Sequence, residues 1–79
     1  MHIVYLLRSI ADPNRNYAGL CNNLKNRLAQ HNRGECKTTR KHRPWELEVA
    51  VYFRDDAKAC AFERYLKSGS GRAFSKRHL

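Results

Sequence analysis

The run HIVYLLRS, from His2, is β-branched and aliphatic, and its unbroken apolarity predicts a strand covered on both faces. A turn cluster, ADPNRN, follows with Pro13 and two asparagines. YAGL, Tyr17 to Leu20, then predicts the partner strand of a hairpin. From Leu24 the pattern becomes helical, with Asn22 or Asn23 as the cap and Gly34 as the stop. Residues 35–44, ECKTTRKHRP, have no period and predict a basic loop. WELEVAVYF alternates, with Trp45, Leu47, Val49, Val51 and Phe53 on one face of a third strand. A second helix, capped by Asp55 or Asp56, runs to about Lys67. GSGRAFSKRHL reads as a Gly-Ser break and a short terminal helix. The order β-β-α-β-α-α predicts an α+β fold in one domain, 1–79: a small three-stranded, mainly antiparallel sheet with flanking helices.

Two polar intrusions break these patterns. In LKNRLAQHN, Leu24 and Leu28 mark the apolar stripe. His31 falls about 20° from Leu24 on the helical wheel, and Arg27 about 60° away on the same side. In the second helix Ala59, Phe62 and Leu66 mark the stripe, and Glu63 sits inside it, about 40° from Ala59. A buried carboxylate without a partner costs several kcal/mol. Glu63 therefore needs a cation: Arg27, Lys67 or a metal ion. Either Glu63 forms a plain salt bridge, or Arg27, His31 and Glu63 converge on one shallow site over the sheet. Tyr5 in the first strand and Tyr17 in the second approach each other if those strands pair. They serve as core tyrosines or as part of such a site. Gly19 fits a turn, a bulge or a close backbone approach.

Composition narrows the partners. The 79 residues carry 16 Lys and Arg against 7 Asp and Glu, a formal charge of +9. Such an excess favours nucleic acid, whose condensed counterions are released on binding. No long basic amphipathic helix and no long apolar run argue for a membrane. MHIVYLL lacks a basic n-region and a cleavage site, so a cytoplasmic location is expected. Cys21, Cys36 and Cys60 form no CxxC pair and are expected as reduced thiols, without a disulfide framework or zinc ribbon. Lys37, Arg40, Lys41, His42 and Arg43, with Arg72, Lys76 and Arg77, line the path of a strand or are simply solvated charge. Trp45 stacks a base or caps the core.

These residues resemble a known family. IVY at Ile3–Tyr5 and YAG at Tyr17–Gly19 are similar to the two motifs that name the GIY-YIG nuclease superfamily. Arg27 and His31 resemble its RxxxH helix, with HNRG continuing the pattern. KHRPWELE resembles its basic loop leading into the third strand. AFERYLKSGSGRAF resembles the segment with its metal-binding glutamate, as in small single-domain members and the nuclease domain of the nucleotide-excision-repair excinuclease. Ile3 stands where the first motif has glycine, Ala18 where the second has isoleucine, and Leu20 and Cys21 where members often carry a hydroxyl residue or lysine.

The resemblance implies an endonuclease that hydrolyses DNA phosphodiester bonds with one divalent ion, Mg²⁺ or Mn²⁺, in repair or recombination. It implies Glu63 as metal ligand, Arg27 at the phosphate, Tyr5 as the base or the orienter of the water, Tyr17 at the phosphate or water, and His31 as proton acceptor. Tyr5 would need its pKa lowered by Arg27, His31 or the metal. RNA stays open as a substrate, and a protein partner for targeting is expected because one domain supplies no target recognition. The rival readings are a nucleic-acid-binding module with little activity, and a basic module that docks an acidic partner.

Overall fold

A computed structural model gives the architecture. It describes residues 2–68, so the expected terminal helix lies outside the described residues. Strands β1 (His2–Ser9) and β2 (Asn16–Cys21) are followed by helix α1 (Leu24–Asn32), strand β3 (Trp45–Phe53) and helix α2 (Asp56–Lys67). The loop before β3 contains a single 3₁₀ turn, Arg40–His42. The sheet has the order β2-β1-β3, and both pairings are antiparallel.

The central place of β1 accounts for its unbroken apolarity. Its odd positions, Ile3, Tyr5 and Leu7, pack with Cys21, Trp45 and the α1 residues Leu24 and Leu28. Its even positions, Val4 and Leu6, pack with Ala18 and the α2 residues Ala59, Phe62 and Leu66. The two helices therefore cover opposite faces of the sheet. A site that joins Arg27 and His31 to Glu63 must therefore run around the β2 edge rather than over one face.

β3 departs from strict alternation. Leu6 pairs with Val49 but Leu7 pairs with Leu47, so the register shifts and Glu48 is the extra residue. Trp45 consequently joins the α1-side core, while Val49 and Phe53 join the α2-side core. The Glu48 carboxylate accepts a forked pair from Arg8, at 3.0 Å from Nε and 2.8 and 3.1 Å from Nη2. Trp45 is buried and its indole N–H donates to the Thr39 carbonyl at 2.8 Å, so it caps the core and is closed to a stacking base.

Local chemistry sets the helix ends. The Asn23 side chain accepts from the Asn26 amide at 3.1 Å, and Asp55 accepts from Ala57 at 2.8 Å. Gly34 has φ +81° and returns its N–H to the His31 carbonyl at 3.1 Å, which stops α1.

Candidate active site

Tyr5 lies at the middle of β1, directly opposite Gly19 of β2. The Tyr5 ring lies across that glycine: a Cβ at position 19 would collide with Cζ and Oη of the phenol. Gly19 is thus a close approach within a regular strand pair, not a turn or a bulge. Two residues earlier, Tyr17 projects from the same face, its ring centroid 6.4 Å from that of Tyr5.

Helix α1 closes this cluster from above. His31 is buried, with its ring centroid 5.8 Å from Tyr5 and 5.2 Å from Tyr17. Its Nε2 lies 2.9 Å from the Tyr5 hydroxyl and its Nδ1 lies 2.7 Å from Thr39 Oγ1. Arg27, one turn earlier on the same helix face, is exposed and borders a depression of about 300 Å³ with Gln30, His31, Glu35 and Cys36. The ion pairs among the described residues engage His2, Arg8, Arg15, Arg33 and Lys67 and leave Arg27 without a carboxylate. Its charge is nonetheless felt by Tyr5, Cys21 and His31.

Burial, not charge, dominates the titration of the cluster. It pushes the Tyr5 phenol well above its ordinary range; Tyr17 adds to the rise and Arg27 only partly opposes it. Arg27 and His31 alone therefore do not give Tyr5 the lowering that a phenolate base would need. Burial also holds His31 below its ordinary value, and Arg27 lowers it further, so the imidazole is neutral at pH 7. Burial raises the Cys36 thiol, but hydrogen bonds from Thr39 and Thr38 outweigh it and hold the thiol below its ordinary value.

Glu63 reaches the cluster by a different route. Its half-buried carboxylate pairs with Lys67 at 2.7 Å, one turn along α2, and not with Arg27. The Lys67 ammonium in turn lies 5.3 Å from the Tyr17 ring centroid, a cation–π contact across the β2 edge. A cavity of about 330 Å³ wraps that edge, lined on one side by Leu6, Ala18 and Leu66 and on the other by Tyr17 and Thr38. The structure thus brings Tyr5, Tyr17 and His31 into contact, sets Arg27 at the rim, and joins Glu63 to Tyr17 through Lys67. Among the described residues no group of three or more His, Cys, Asp and Glu is placed to hold a metal ion. Glu63 alone fits a Mg²⁺-like ion that keeps its waters and shares phosphate oxygens, because one carboxylate is a sufficient protein share of such a site.

Lys37, Arg40, Lys41 and Arg43 are all exposed around the loop between α1 and β3. Arg40 Nε donates to the Gly34 carbonyl at 2.9 Å, and the Arg43 guanidinium lies against Gly34. Arg72, Lys76 and Arg77 lie outside the described residues. Sequence reasoning missed Thr39, which sits in an aperiodic loop and gives no pattern to read. Lys67 did leave a signal, its four-residue spacing from Glu63.

Comparison with known proteins supplies the family. The model of the GIY-YIG catalytic domain matches residues 1–77. Similar curated proteins are structure-specific endonuclease subunits SLX1 from three fungi. The one from Cryptococcus neoformans var. neoformans serotype D (strain JEC21) is 44% identical over 66 residues, which is 75% of this chain and 13% of that protein. The one from Malassezia globosa is 40% identical over 68 residues, 80% of this chain and 15% of that protein. The one from Candida dubliniensis is 38% identical over 84 residues, 96% of this chain and 28% of that protein. The matches thus span between 13% and 28% of the length of these relatives. With the tyrosine pair, the RxxxH helix and the α2 glutamate in the family's order, this chain belongs to the GIY-YIG catalytic domain family.

Proposed function

We propose that the chain is a divalent-metal-dependent endonuclease that hydrolyses phosphodiester bonds in DNA, with RNA a secondary candidate. The observation that carries this reading is the buried hydrogen bond between the Tyr5 hydroxyl and His31 Nε2 at 2.9 Å. A structural tyrosine needs only a backbone partner; here the partner is a neutral imidazole with capacity for a proton.

The chemistry follows from the titration state. Tyr5 stays protonated and cannot act as a free phenolate base. It instead relays: its O–H proton passes to His31 Nε2 while its oxygen takes a proton from the attacking water. Charge on His31 then rises next to Arg27, which opposes it. A phosphate anion bound by the Arg27 fork removes that opposition, so proton transfer is favoured only with substrate in place. Tyr17, at the site's edge beside Lys67, holds the phosphate or the water. Bound at Glu63 with phosphate oxygens and water, Mg²⁺ or Mn²⁺ would supply charge relief on the phosphoryl and leaving oxygens.

The relatives are named structure-specific endonuclease subunits, which supports recognition of DNA by its shape, a role in repair or recombination, and a protein partner for targeting. The exposed cations of the loop between α1 and β3 support backbone tracking. No helix among the described residues is long and apolar enough to cross a membrane. Cys21, Cys36 and Cys60 are free thiols, which fits a reducing compartment, cytoplasm or nucleus.

The test is cleavage of plasmid and branched DNA with Mg²⁺ or Mn²⁺, blocked by chelator. Glu63→Ala and Arg27→Ala are expected to abolish cutting in chains that keep their circular dichroism spectrum. Undiminished cleavage by either variant removes that residue from the site. DNA binding without metal-dependent cleavage by the parent chain leaves only the binding-module reading.

A further inference from the structure

His31 has both ring nitrogens engaged, and both it and its second partner are closed to solvent: His31 is 1% exposed and Thr39 1%. Two proton arrangements satisfy the same distances. In one, Nδ1–H donates to Thr39 Oγ1 and the Tyr5 hydroxyl donates to Nε2. In the other, Nε2–H donates to the Tyr5 oxygen and the Thr39 hydroxyl donates to Nδ1. Chemistry separates them. A phenol is a far stronger acid than an alkyl hydroxyl, and its oxygen is the poorer acceptor because its lone pair is delocalised into the ring. The first arrangement gives each donor its better acceptor. It is also the only one in which Nε2 has a lone pair ready for the Tyr5 proton.

Thr39 is held for this purpose by its main chain. Its N–H donates to the Cys36 carbonyl at 3.3 Å, and its carbonyl accepts the Trp45 indole N–H at 2.8 Å. Trp45 is tied back to α1 by Asn32, whose Oδ1 accepts the Trp45 amide at 2.6 Å and whose Nδ2 donates to the Trp45 carbonyl at 3.1 Å. Thr39 also precedes the 3₁₀ turn yet makes no side-chain cap bond to it; its hydroxyl donates to the Cys36 sulfur, which leaves the oxygen to accept from the imidazole. The groups facing His31 are Tyr5 from β1, Tyr17 from β2 and Arg27 on its own helix, with Glu35 and Cys36 at the rim of the same depression.

We propose that Thr39 is a positioning residue of this site: its Oγ1 accepts the Nδ1 proton of neutral His31 and thereby aims the Nε2 lone pair at the Tyr5 hydroxyl. The role rests on the nuclease reading above, and it makes a loop residue outside the family's naming motifs part of the proton path. Thr39→Val keeps the shape and every main-chain bond but removes the acceptor. Thr39→Ser keeps the acceptor. In the intact chain, ¹⁵N spectra of the imidazole are expected to show His31 protonated on Nδ1. Thr39→Val is expected to move that proton to Nε2 and lower kcat on the order of 10²-fold with little change in KM. Thr39→Ser is expected to restore both. A parent spectrum with the proton on Nε2 overturns the proposal, as does a Thr39→Val chain that cuts with the parent kcat. A parent chain that leaves DNA intact overturns the nuclease reading instead, and the ¹⁵N spectra then still decide the hydrogen-bond assignment.

Discussion

Two residues explain why this cluster is built on so small a sheet. Gly19 gives the Tyr5 ring its place, because any Cβ there meets Cζ and Oη of the phenol. Gly19→Ala must push the ring toward His31 or lift β2 from β1. It is expected to cost about 1–3 kcal/mol of stability, read by chemical denaturation, and to reduce cleavage beyond that loss. His31 sets a pH dependence of its own. Burial, with Arg27 adding, holds the native imidazole below its ordinary value of 6.5, so on acidification the unfolded chain takes up the proton first. Its contribution to stability is therefore complete above pH 6.5, declines as pH falls below it, and levels off once native His31 is also protonated. Thermal melts from pH 7.5 downward are expected to show a smaller decline for His31→Gln than for the parent chain. Equal declines would mean that the imidazole titrates alike in both states.

At the scale of elements, the site depends on how the end of α1 is fastened to the start of β3. Asn32 makes that joint with one bond accepted from the Trp45 amide at 2.6 Å and one donated to its carbonyl at 3.1 Å. Asn32→Ala is expected to lose about 2 kcal/mol, and Asn32→Asp, which keeps only the acceptor, about half of that. Equal stability of all three chains in urea would show that the joint is held elsewhere. Much of this level is legible in the sequence. The bounds of β1, a cap at Asn22 or Asn23, a cap at Asp55 or Asp56 and the Gly34 stop follow from local chemistry, which a sequence displays directly; the structure chooses Asn23 and Asp55. The wheel positions of Arg27, His31 and Glu63 likewise mark them as inward or marginal. That α1 and α2 cover opposite faces is not legible, because an apolar stripe says that a helix packs but not which face of a sheet it meets. Nor is the extra residue at Glu48, since WELEVAVYF alternates without interruption in one dimension. The shift is imposed by Trp45 having to reach the α1-side core while Val49 serves the other.

The whole molecule adds a field to these contacts. With a formal charge of +9 on 79 residues, the chain should gather nucleic acid whether or not it cuts. Four of those charges, Lys37, Arg40, Lys41 and Arg43, stand exposed on the loop that also carries Thr39, so the path to the phosphate and the proton path share one segment. None of the four makes an ion pair among the described residues, but Arg40 and Arg43 lean on Gly34. Lys37 and Lys41 are the cleaner probes. If each neutralises one phosphate, the slope of log affinity against log salt for duplex DNA should become less negative by about 0.9 per lysine removed. Lys37→Gln with Lys41→Gln is therefore expected to flatten the slope by nearly two and weaken binding at low salt, while kcat at saturating DNA stays close to that of the parent chain. That split separates a tracking surface from the catalytic cluster, because Arg27→Ala should remove turnover with only its single share of the slope. An unchanged slope in the double lysine variant would place the DNA path off this loop and leave its charges as solvated surface.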